Sequence, residues 1–183
     1  MYSIGQEALD TFRVVPKSAL ARHRVPEGTG ALEVDGQNRL FLAVNGDSLY
    51  MYEASKMEVM QTVAQQEGKI VGLKTNSRGR LFAAEGVGGT IRVFDVSEKK
   101  FEYQREFPIS ASWNLNGDEV CNRVSMDLDF AGRLLVLNPH KPKIHVFNLE
   151  DLSALRTVDL GDHQPAPLAV SVDGRNLVNV LYG

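Results

Sequence analysis

Apolar and polar positions alternate in short bursts along this chain, and the clearest burst runs from Gly79 to Asp95. Leu81 to Ala84 form an apolar run, residues 86–89 a glycine-rich break, and Ile91 and Val93 then alternate with Arg92 and Phe94. That arrangement predicts two strands joined as a hairpin. The same pattern returns at Arg133-Leu134-Leu135-Val136-Leu137, a break, and Ile144-His145-Val146-Phe147-Asn148. A looser copy is Arg39-Leu40-Phe41-Leu42-Ala43, a turn, and Leu49-Tyr50-Met51-Tyr52-Glu53.

An arginine opens the second strand of each copy, at positions 39, 80, 133 and 175, so the spacings are 41, 53 and 42, the long one carrying about 11 extra residues. A period of roughly 40 to 50 residues built from short strands is the mark of propeller blades, and no stretch shows the 3.6 period of a helical solenoid. The predicted fold is therefore all-β, a β-propeller in which each blade has four strands, a to d. Complete blades are predicted at 31–65, 70–107 and 123–160, with a half blade (strands c and d) at 1–26 and another (strands a and b) at 168–183. This makes four blade equivalents and sixteen strands. Two arrangements fit: a closed four-blade ring, in which residues 176–181 pair antiparallel with 12–15, or an arc of a larger propeller whose edges are covered by further sequence or by a second copy.

Composition narrows the class. A hydrophobic share of 43% with 23% charged residues is ordinary for a folded domain and argues against disorder. A formal charge of −3 lacks the basic excess expected of a nucleic-acid binder. Cys121 is the sole cysteine, so no intramolecular disulfide supports the fold, which agrees with a cytoplasmic location. Residues 1–12 lack the pattern of a signal peptide, and no apolar run approaches the roughly 20 residues needed to span a bilayer.

The segments Gly72 to Asp95, Met126 to Asn148, Leu32 to Glu53 and Leu168 to Val180 resemble the blades of NHL-type and related propellers, with their Asp-x-x-Gly-x-Leu turn and Ile-x-Val-Phe-Asp strand. The resemblance covers nearly the whole chain and implies a propeller. Its relatives include interaction modules, some of which bind RNA, and metal-dependent lactonases of the gluconolactonase type.

Propeller geometry brings the b-to-c and d-to-a connections to one face. There the long d-to-a segment 108–122 contains Trp113, the only tryptophan, beside Asn114, and the b-to-c turn contains His140, Lys141 and Lys143. Loops on a rigid scaffold often carry recognition, and tryptophan is enriched at binding hot spots. Trp113 would equally serve by covering the end of a neighbouring blade, and the cationic turn by facing water.

Aligned on the Gly-Arg turn, the inner strands place Glu33, Lys74, Asp127 and Ala169 in one row and Asp35, Asn76, Asp129 and Ser171 in a second. Glu33, Asp35, Asp127 and Asp129 offer hard oxygen ligands of the kind Ca²⁺ or Mg²⁺ takes, which a lactonase would need. The second row also suits turn capping. The four histidines show no zinc spacing, and neither Cys121 nor any serine lies in a catalytic motif. The leading expectation is a non-catalytic scaffold without a cofactor that binds a protein or other macromolecule through its loop face, with a self-complementing homo-oligomer as a further partner. The alternative is a metal-dependent hydrolase.

Overall fold

A computed structural model describes residues 2–5, 8–13, 18–45, 48–64, 70–85, 89–109, 124–129, 131–138, 143–161, 168–170 and 177–179. All regular elements among them are strands. Three four-stranded antiparallel sheets form the body, each ordered as its strands occur in sequence. The first comprises β4 (Thr29–Val34), β5 (Arg39–Val44), β6 (Ser48–Glu53) and β7 (Glu58–Ala64). The second comprises β8 (Ile70–Thr75), β9 (Arg80–Glu85), β10 (Thr90–Val96) and β11 (Phe101–Pro108). The third comprises β12 (Ser125–Leu128), β13 (Arg133–Asn138), β14 (Lys143–Asn148) and β15 (Ala154–Asp159). A three-stranded sheet of β1 (Tyr2–Gly5), β2 (Ala8–Arg13) and β3 (Ser18–Arg24) precedes them. A two-stranded sheet of β16 (Leu168–Val170) and β17 (Leu177–Asn179) follows.

The sheets are copies in detail. In each body sheet the pairing of the third strand with the fourth slips at one equivalent point, Met51/Tyr52, Val93/Phe94 and Val146/Phe147, and β2 slips against β3 at Thr11/Phe12. A bulge at a fixed place bends the outer strand in the same way each time. The turn from first to second strand is copied as well. Residues Asn38, Gly79 and Gly132 all take positive φ (63°, 78° and 76°), and their carbonyls accept the N–H of Ala54, Val96 and Leu149. Asn is among the few side chains that tolerate this backbone region, which explains how position 38 dispenses with glycine.

Burial follows the radial stacking. Between the first and second body sheets Phe41 and Met51 meet Leu81, Phe94 and Phe101, with Phe41 and Phe101 edge to face at 6.2 Å. Between the second and third, Phe82, Val93 and Phe107 meet Met126, Leu134 and Phe147, with Phe107 and Phe147 at 5.2 Å. Each fully buried side chain of this size contributes about 1.5 to 3 kcal/mol. The inner strands β4, β8, β12 and β16 lie next to one another in that order. At one point they touch through backbone: Val124 N–H donates to Val71 O at 3.1 Å, and a Cβ added to Gly72 would come within 2.5 Å of Val124 O.

Two expectations change. The opening unit has three strands rather than two, because Tyr2–Gly5 pairs with Ala8–Thr11. The described strands therefore number seventeen, not sixteen. Among the described residues the pairing of 176–181 with 12–15 that a closed ring required does not occur: β2 lies between β1 and β3, and β17 pairs with β16. A strand with a neighbour on each edge has little left to offer a third.

Candidate functional site

The inner-strand row carries the densest charge chemistry among the described residues. Glu33, Lys74 and Asp127 occupy one register position, each opposite the residue two beyond the repeated arginine: Phe41, Phe82 and Leu135. In the fourth sheet Leu177 is met by Val170, so β16 runs one residue out of step with the row expected through Ala169. Lys74 Nζ lies 3.0 Å from Asp127 Oδ1 and 3.8 Å from Glu33 Oε1. The same Glu33 oxygen accepts the Thr75 N–H at 3.0 Å and the Thr75 hydroxyl at 3.1 Å. Leu128 N–H donates to Asp127 Oδ1 at 2.9 Å. Burial pushes the Glu33 carboxyl above its ordinary range; Lys74 and the Thr75 bonds pull against that, and Asp127 adds a smaller upward push.

The second row serves the turns. Asp35 Oδ1 accepts N–H from Gln37 at 2.8 Å and Arg39 at 3.0 Å, and Asn76 Oδ1 does the same for Arg78 and Arg80 at 3.0 and 2.9 Å. Asp129 Oδ1 accepts from Arg133 N–H at 2.9 Å. The other oxygens of Asp35 and Asp129 are held by the Nε of Arg39 and Arg133. The four carboxylates considered as metal ligands thus fall into two environments, Glu33 and Asp127 flanking a lysine, Asp35 and Asp129 closing turns. In this arrangement the Lys74 ammonium, rather than a cation taking several oxygens at about 2.3 to 2.6 Å, stands against Glu33 and Asp127. Among the described residues no three His, Cys, Asp or Glu side chains converge on a metal position.

The repeated arginines, which served above as a ruler, also join neighbouring sheets. Arg39 Nη1 donates to Ser97 O of the second sheet at 2.5 Å, and Arg80 Nη1 to Leu149 O of the third at 3.0 Å. Only their recurrence was visible beforehand; the carbonyls they reach lie 58 and 69 residues away. Part-buried Arg92 and buried His145 occupy equivalent third-strand positions. Arg92 pairs with Glu85 at 2.6 Å, and His145 meets the Thr157 hydroxyl at 3.3 Å. Burial, with Lys143 adding to it, lowers the His145 pKa below the ordinary histidine value.

In each antiparallel body sheet the end of the second strand, the start of the third, the end of the fourth and the start of the first lie at the same end of the sheet. Of the residues expected to recognise a partner, Lys143 opens β14, with its Nζ 4.0 Å from Asp159 Oδ2 across the strand pair. Trp113, Asn114, His140 and Lys141 lie outside the described residues. The two ends of the long connection are placed. Ile109, buried, donates its N–H to Gly89 O at 2.7 Å, and Val124, buried, donates to Val71 O, both within the hydrophobic core shared by the second and third sheets.

Repeated four-stranded sheets stacked face to face around adjacent inner strands define a β-propeller. No protein-family model matches the sequence, and no curated protein does. Solved structures do match. The β-propeller domain of Cps50 (Swd1) from Myceliophteria thermophila is 14% identical, with 96% of this chain and 60% of that one covered at a TM-score of 0.64. Hsv2p of Kluyveromyces lactis is 14% identical, with 98% and 52% covered at 0.61. A functionally unknown protein from Desulfotomaculum acetoxidans is 13% identical, with 98% and 61% covered at 0.73. The likeness establishes the fold and goes no finer, and this chain spans between about half and three-fifths of the length of those chains.

Proposed function

We propose that this chain is a non-catalytic β-propeller scaffold that binds a protein partner through the loop face, with Trp113 and Asn114 as the contact centre and His140, Lys141 and Lys143 beside it. The observation that supports this most directly is the pair of buried anchors, Ile109 and Val124, from which residues 110–123 leave and re-enter one packed core. A long connection held at both ends by a rigid base is the arrangement on which recognition loops are built. The charge balance of the inner row supports a non-catalytic reading, since Lys74 answers the carboxylates that a metal would need. The repeat pattern from Gly72 to Asp95 supports an NHL-type blade as the subfamily. A second copy completing the propeller is the homo-oligomeric form of the same reading, and the cytoplasm is the proposed location, in keeping with a sequence that has Cys121 as its sole cysteine.

The test is affinity capture from the source cell with the wild type, Trp113→Ala and a Lys141→Ala/Lys143→Ala double variant, alongside thermal unfolding of each. Loss of a hot-spot tryptophan costs on the order of 2 kcal/mol or more in binding, about a thirtyfold weakening. Reduced capture of a defined partner with an unchanged Tm supports the reading. A fall in Tm with capture intact assigns Trp113 to the core and overturns its role here.

A further inference from the structure

We draw no further inference here: the strongest candidate, the rim surface patch where the half-exposed Tyr103 ring ends the aromatic series Phe41, Phe101 and Phe94, carries nothing because nothing in the structure shows what covers it.

Discussion

The Gln61 carboxamide grips the backbone of Phe101 in the neighbouring sheet from both sides. Phe101 N–H donates to Gln61 Oε1 at 2.6 Å, and Gln61 Nε2 donates to Phe101 O at 3.0 Å. A side-chain amide thereby replaces the strand that Phe101 lacks on that edge, while the Phe101 ring itself is buried against Phe41 and Phe94. Gln61→Ala should cost about 1 to 3 kcal/mol, because it strands a part-buried donor and acceptor. Gln61→Glu keeps the acceptor but turns a carboxylate toward the Phe101 carbonyl, so it should be no milder. Urea unfolding of both variants measures this, and a loss below about 0.5 kcal/mol in each would show that the contact contributes little.

Lys74 is the cation that two carboxylates share. Lys74→Met leaves Glu33 and Asp127 facing each other across the inner strands without it, and the variant should lose about 1 to 3 kcal/mol at pH 7, less than a fully buried pair because the lysine keeps contact with water. Acidification should recover most of that loss as the carboxyls protonate. Equal destabilisation at pH 4 and pH 7 would mean that the lysine stem, rather than its charge, is what matters.

Two groups impose opposite pH dependences on stability. The Glu33 pKa is raised above 4.5, so its contribution is fully present below that value and is lost as pH rises through the folded pKa. Glu33→Gln retains an acceptor for Thr75 and should gain on the wild type as pH climbs past that point. The His145 pKa is lowered from 6.5, so its contribution is present above 6.5 and is lost as pH falls through the folded value. His145→Gln should flatten the acid side of the stability profile below pH 6.5. Chemical denaturation from pH 4 to 8 separates the two, and parallel profiles for wild type and variant would refute the assignment concerned.

Gly72 lets two inner strands touch. With only 2.5 Å between an added Cβ and Val124 O, Gly72→Ala forces the backbones apart and disturbs the Val124 to Val71 hydrogen bond. The expected cost is about 1 to 3 kcal/mol, the range for overpacking. Gly36→Ala is the control, since no atom lies within 4 Å of a Cβ there. Similar unfolding midpoints for the two variants would show that the junction yields freely.

Repetition made the body of this fold legible. Arginines at 39, 80 and 133 and the alternation around Leu81, Ile91 and Val93 set strand boundaries and register, because a strand that buries a face must alternate and a tight turn must carry Asp, Asn or Gly. Register by itself also sets Glu33, Lys74 and Asp127 in one row. The short hairpin of β1 and β2 carries no such signal, because its cross-strand pair Ser3 and Asp10 breaks the apolar rhythm that marks the other sheets.

By itself the sequence determined the repeat, its length, the all-β class and the turn residues, all of which depend on neighbours close in the chain. Only the tertiary structure decided that Lys74 stands between two carboxylates, that Arg39 reaches Ser97 and that Gln61 holds Phe101. These contacts join residues some 40 to 60 positions apart, and which of them meet depends on how one sheet is rotated and offset against the next. Periodicity along a strand carries no record of that angle; packing between sheets sets it.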